Sequence, residues 1–181
     1  MKLILSIISL SALFIQLLSA QQETMLKIGD TAPSFSLPYA TKDSVSRGKI
    51  TLSNITEKQK IILAFYPADW SGGCTKEVCT LRDNFKSLAD LNTEVLAISG
   101  DYIFSHYEWA KFHNLPFKLL SDHDHSVAKM YSSYNAEYGY NKRTVYIVDV
   151  GGKISYIDLN YSVSDDKSFK KLRTALEGLR K

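Results

Sequence analysis

Apolar positions along the chain form short unbroken runs that alternate with helical stripes. IILAFYP (61–67) is a continuous apolar run of the length of one strand buried on both faces, and KITLSNI (49–55) before it has β character. From Cys74 to Leu91 no Gly or Pro interrupts the chain, and Val78, Leu81, Phe85 and Leu88 recur at three- and four-residue spacing. That spacing predicts a helix starting at or just before Cys74. TEVLAISG (93–100) predicts a second strand, IFSHYEWAKFHN (103–114) a helix ended by Leu115–Pro116, FKLLSD (117–122) a third strand and SVAKMYSSY (126–134) a shorter helix. RTVYIVDV and KISYIDLN flank Gly151–Gly152, the signal of a two-residue hairpin turn. From about Ser164, Phe169, Leu172, Leu176 and Leu179 share one face of a closing amphipathic helix. This order predicts an α/β fold, a central mixed β-sheet flanked by helices on both faces, which is also the order of a thioredoxin-like fold.

The first 20 residues, MKLILSIISLSALFIQLLSA, stand apart from that pattern. Lys2, the apolar run Leu3 to Leu18 and the small residues Ser19 and Ala20 predict a secretory signal peptide over 1–20, with an uncleaved membrane anchor as the alternative. The expected product is one domain over 21–181, exported to a periplasm or secreted. Its composition, 45% apolar and 23% charged over 181 residues, suits a single core. Removing Lys2 lowers the formal charge of +3 to about +2. With no basic stripe interleaved with aromatics, nucleic acid is not an expected partner, and after cleavage neither is a membrane.

The chain has two cysteines, Cys74 and Cys79, in YPADWSGGCTKEVCT (66–80). An even count behind a signal peptide usually means a structural disulfide. The spacing opposes that reading: five positions on one helix rise ~7.5 Å and turn ~500°, which separates the Cα atoms by ~8.6 Å. A disulfide tolerates no more than about 7 Å. A bond between the two therefore requires the helix to unwind in part, a design suited to a switch. A thiol in the first turn of a helix also feels the unpaired N–H groups and the positive dipole end, which favour thiolate. Lowering a thiol pKa from about 8.5 to about 6 raises the ionised fraction at pH 7 from about 3% to about 90%.

PADWSGGC fits P-x-x-x-[TS]-x-x-C, and with GCTKEVC it resembles the peroxiredoxins of the bacterioferritin-comigratory, or PrxQ-like, subgroup. KIGDTAPSFSLP (27–38), LPFKLLSD (115–122) and KRTVYIVD (142–149) resemble further segments of that family, so the likeness covers nearly all of 21–181. It implies a thiol-dependent peroxidase acting on hydrogen peroxide and small organic hydroperoxides. Cys74 matches the peroxidatic cysteine, which attacks a peroxide oxygen and becomes a sulfenic acid. Cys79 matches the resolving cysteine, which closes an intramolecular disulfide. Ser71 stands where the family usually has threonine, Pro67 matches the proline that shapes the loop, and Arg143 matches an arginine that supports the thiolate and the charge developing on the oxygens. The resemblance further implies no cofactor, a thioredoxin-like reductant and a monomer. Serine at 71, and Gly73 where the subgroup commonly has proline, depart from the pattern and are expected to loosen the loop.

Two other functions fit the composition. An exported thioredoxin-like thiol–disulfide oxidoreductase would be expected to carry C-x-x-C, which this chain lacks. A secreted binding domain with one bridge leaves the proline, serine and arginine unexplained. Among other residues, the Asp122–His123–Asp124–His125 run has metal-ligand chemistry but falls in a strand-to-helix connection, where Asp turns the chain and caps the next helix. Glu77 and Arg82 are either surface polar residues or supports for Arg143. Trp70 and Tyr66 are expected to pack. Asn54 and Asn160 begin glycosylation sequons, meaningful in a eukaryotic source.

Overall fold

The apolar run at 61–67 becomes the strand on which the rest is laid. In the computed structural model, which describes residues 25–179, the leader expected over 1–20 lies outside the described residues. The strands are β1 (Ser36–Ala40), β2 (Val45–Thr51), β3 (Lys60–Phe65), β4 (Thr93–Ser99), β5 (Lys118–Ser121), β6 (Tyr134–Asn135), β7 (Tyr140–Asn141), β8 (Thr144–Val148) and β9 (Ile154–Asp158). The helices are α1 (Leu52–Thr56), α2 (Gly72–Asp83), α3 (Phe85–Ala89), α4 (Ile103–Phe112), α5 (Ser126–Met130) and α6 (Lys167–Gly178).

Seven strands form one mixed sheet in the order β2-β1-β5-β4-β3-β8-β9, and β6 and β7 form a separate two-stranded ribbon. β3 pairs parallel with β4 and antiparallel with β8, and is buried along its whole length. Its alternate residues feed two cores. Ile62, Ala64 and Tyr66 join Val78 and Leu81 of α2, Trp109 of α4, and Phe169, Leu172 and Leu176 of α6. Ile61, Leu63 and Phe65 join Leu52 of α1 and Val127 and Ala128 of α5 on the opposite face. A strand covered on both sides has no polar face to show, which is why its sequence is continuously apolar.

The structure redraws several expected boundaries. KITLSNI is not one β segment: β2 ends at Thr51 and Leu52 begins α1, because Leu52 turns into the core and its amide donates to Phe35 O at 3.1 Å. β1, which carries no clear strand signal, holds Pro38 where it pairs with Lys49 of β2, while only Tyr39 and Ala40 pair with β5. The missing proline N–H thus falls outside the β5 ladder. The helix read from Cys74 to Leu91 is two helices. Asn84 (φ −104°, ψ 4°) breaks it, its Nδ2 and its own amide both donating to Thr80 O at 2.9 and 3.3 Å. α5 stops at Met130, short of Tyr134, with Ser132 in the left-handed region at φ +52°. The hairpin joining β8 to β9 is longer than two residues: Asp149 N donates to Lys153 O and Asp149 Oδ1 accepts from Lys153 N, both at 2.8 Å, around Gly151 and Gly152 at φ +112° and +80°. α6 starts at Lys167 and buries Phe169, Leu172 and Leu176, with Leu179 partly buried beside them.

Candidate active site

The chain leaves β3 at Phe65, passes through the loop Tyr66–Trp70 and enters α2 at Gly72. Ser71 is the N-cap, in extended conformation (φ −74°, ψ 142°), and its hydroxyl accepts from Cys74 N at 3.4 Å. Cys74 is therefore the third residue of the helix, and its side chain is buried. Gly73 lies inside the first turn and not in the loop. A Cβ there would come within 3.1 Å of Arg143 Nη2, so its absence gives the guanidinium room.

Arg143, just before β8, reaches this turn from the strand that neighbours β3. Its Nη2 donates to Cys74 Sγ at 3.4 Å and its Nη1 pairs with Glu77 Oε2. One planar fork thus holds a sulfur and a carboxylate one helical turn apart. Glu77 is buried, and its Oε1 has no hydrogen-bond partner among the described residues. Burial pushes its carboxyl up to about 7, against the opposing pull of Arg143. A group raised in the folded state contributes stability that is present below its unfolded value and is lost as pH rises through the folded one. Between the ordinary 4.5 and about 7 the shift corresponds to about 3 kcal/mol. Urea denaturation should accordingly show wild type losing about that much from pH 4.5 to 8 relative to Glu77→Gln; a difference between the two that stays constant with pH would refute this account.

The loop ahead of the helix is anchored by a buried polar cluster. The Asp69 carboxylate accepts from Tyr66 Oη and Ser105 Oγ, each at 2.8 Å, and meets His106 Nδ1 at 2.9 Å. Asp69 N donates to Asp101 Oδ2 at 2.9 Å. Tyr66 packs in the core as expected. Trp70 packs as well, but at the surface: it takes a left-handed φ of +62°, remains 53% exposed, and lies against the rings of Phe112 and His113. Pro67 is half-buried at the start of this loop.

Cys79 lies on the same helix as Cys74, half-buried, and both are free thiols. Its sulfur is directed to His113 Nδ1 at 3.9 Å. Of the two candidate supports for Arg143, Glu77 takes that place, whereas Arg82 donates to Asp83 Oδ1 and to His113 O at 2.9 and 2.8 Å on the other side of the helix. The run Asp122–His125 diverges: Asp122 accepts from Val127 N and Ala128 N, Asp124 from Ser126 N, and His125 turns to Asn141. Among the described residues no group of three or more His, Cys, Asp or Glu is placed to hold a metal ion. Sequence reasoning missed His113, Asp69 and His106; 34 residues separate Cys79 from His113 and 37 separate Asp69 from His106, and no local pattern links them.

Comparison with known proteins bears on this arrangement. Residues 28–157 match the AhpC/TSA family along most of the described chain. The chain belongs to the AhpC/TSA family. Within it, the chain is 33% identical over 135 residues to peroxiredoxin Bcp of Bacillus subtilis, an alignment covering 71% of this chain and 82% of that protein. It is 35% identical over 130 residues to the chloroplastic peroxiredoxin Q of Oryza sativa subsp. japonica, covering 71% of this chain and 57% of that one. The crystal structure of peroxidoxin BcpB from Mycobacterium tuberculosis superposes with a TM-score of 0.75 at 27% identity, over 86% of this chain and 99% of that chain. Family membership of the Bcp and Q type and the thioredoxin-like fold, both expected from the sequence, are thereby shown.

Proposed function

We propose that Cys74 is the peroxidatic and Cys79 the resolving cysteine of this peroxiredoxin. Thiol-dependent peroxide reduction is the activity its Bcp and Q-type relatives indicate. The observation that carries the residue assignment is the Arg143 guanidinium, 3.4 Å from a buried cysteine sulfur in the first turn of α2, with the second free cysteine on the same helix. In the proposed cycle the Cys74 thiolate attacks the near peroxide oxygen, the O–O bond breaks, and water or an alcohol leaves. Attack moves negative charge from sulfur to oxygen, so a donor beside the sulfur is placed to follow it. Ser71, whose hydroxyl accepts from the Cys74 amide, holds the first turn that carries the reacting sulfur. Pro67 opens the loop and limits its conformations. Cys79 then attacks the sulfenic sulfur. Because both cysteines sit on α2, bond formation requires the helix to unwind between them.

The substrates proposed are hydrogen peroxide and small organic hydroperoxides, and the reductant is a thioredoxin-like dithiol that reopens the disulfide after each turnover. We propose an exported monomer without a cofactor. No described helix is long and apolar enough to cross a membrane. Cleavage of the leader should leave a chain that starts at Gln21 and fractionates outside the cytoplasm; an intact mass of the full 181 residues there would overturn cleavage, and recovery in the cytoplasm alone would overturn the export reading. An oxidoreductase without peroxidase activity is not favoured, since the dithiol is not the close C-x-x-C pair that such chemistry uses. Mixing reduced protein with a slight excess of hydrogen peroxide and following both peroxide and free thiols tests the function directly.

A further inference from the structure

Cys79 is oriented by a contact that the reading so far does not use. His113 caps the C-terminus of α4, where its amide donates to Trp109 O at 3.0 Å and its carbonyl accepts from Arg82 Nη1 at 2.8 Å. Its ring is held among aromatic rings, with centroids 4.9 Å from Phe112, 5.9 Å from Trp109 and 6.4 Å from Trp70. Main chain and ring are both fixed, and Nδ1 faces Cys79 Sγ at 3.9 Å.

We propose that His113 is the general base of the resolving step, taking the thiol proton of Cys79 so that the thiolate can attack oxidised Cys74. This deepens the assignment of Cys79 as the resolving cysteine and rests on it. The proton passes from Sγ to Nδ1 while α2 is still wound. As the helix unwinds, the Cys79 sulfur forms the S–S bond, the S–O bond of the Cys74 sulfenic acid breaks, and the departing hydroxide takes the proton from the imidazolium as water. The sulfenic acid is the oxidant and Cys79 the reductant, so no further reagent enters. An ordinary thiol is about 3% ionised at pH 7, which leaves room for a base to act.

The groups around the ring suit an acceptor. Cys79 and Arg82 face it from α2, Lys42 bonds the adjacent Asn114 at 2.8 Å, and the loop and α4 present aromatic rings. Burial, helped by the charge of Arg82, holds the imidazole below its ordinary 6.5, which keeps it unprotonated near neutral pH. The structure contains no carboxylate partner for this ring that would favour imidazolium among the described residues.

The test is rapid mixing of reduced protein with hydrogen peroxide from pH 5 to 9, quenched with a thiol-blocking reagent and a sulfenic-acid trap, so that oxidation of Cys74 and closure of the disulfide are counted separately. His113→Gln should oxidise Cys74 within about twofold of wild type but close the disulfide at least about tenfold more slowly at pH 7. In wild type the closure rate should inflect below pH 6.5, and in His113→Gln that inflection should vanish. Added imidazole should restore part of the loss. A variant that closes at the wild-type rate, or more slowly but with the same inflection, would overturn the base assignment. Should the variant fold poorly, the wild-type profile alone decides: a closure rate flat from pH 5 to 7.5 overturns the proposal. Cys79→Ser separates the two claims. If it stops after one oxidation while His113→Gln closes normally, only the base is wrong; if it turns over like wild type, Cys79 does not resolve and both claims fall.

Discussion

Cys74→Ser should consume no peroxide above the uncatalysed background, a loss of about 10³-fold or more, because the thiolate is the nucleophile and a serine hydroxyl in the same turn is not ionised at neutral pH. Cys79→Ser should behave differently. It should rapidly reduce one equivalent of peroxide per chain, leaving Cys74 as sulfenic acid, and then take up a second equivalent only slowly as that acid is over-oxidised to sulfinic acid, with no further turnover. The contrast separates the proposed cycle from a structural bridge, in which either substitution would lower stability by a similar amount and leave peroxide untouched. The readouts are peroxide loss, free-thiol count and the mass of the intact chain. Peroxide consumption by Cys74→Ser at the wild-type rate would end the assignment.

The helix that carries both cysteines also bounds the motion this cycle needs. Asp69 ties the preceding loop to α4 and to the end of β4, and Asn84 ends the hydrogen-bonded ladder before α3. Unwinding therefore has to be taken up between Ser71 and Asp83. The cost falls on Val78 and Leu81, which leave the core to the extent that their turn opens, and on the Ser71 cap. Gly72 and Gly73, the first two helical residues, lower the cost of fraying the turn that precedes the cysteine pair, since glycine is a poor helix former. The two departures from the family pattern thus fall within a helix cap and a first turn.

What could be read from the residues follows from how local each signal is. The continuous run at 61–67 and the stripe Val78, Leu81, Leu88 declare their elements because burial on both faces or on one face leaves its period in the sequence. Boundaries were less legible where a side chain competes with the backbone, as Asn84 does at Thr80 O and Asp149 does in the hairpin. β1 was hidden because its pairing on the β5 side covers only two residues and Pro38 argues against a strand. For the site, the cysteine pair was legible from helix geometry and the remaining members from resemblance. Between Glu77 and Arg82, charge alone favours Glu77 as the partner of a guanidinium; what was not legible is that Arg143 reaches this helix at all, 66 residues along the chain, which the path of β8 decides.

That pairing shapes the second large effect. Arg143→Met should slow the first oxidation of Cys74 by about 10²–10³-fold, the cost found when one oriented donor to a developing oxyanion is removed. The same substitution leaves Glu77 buried without its cation, so burial acts unopposed, the carboxyl rises further and stays protonated at neutral pH, and some stability is lost with the pair. Loss of rate could then be mistaken for loss of fold. Arg143→Met combined with Glu77→Gln distinguishes them, because the neutral amide no longer needs a cation: stability should return while the oxidation rate stays low. Arg143→Lys should fall between, since a single ammonium cannot reach Cys74 Sγ and Glu77 Oε2 with two donors of one plane. Stopped-flow oxidation of all three, alongside their urea midpoints, supplies both axes. If the double variant oxidises Cys74 as fast as wild type, the guanidinium has no part in the chemistry and serves only to neutralise Glu77.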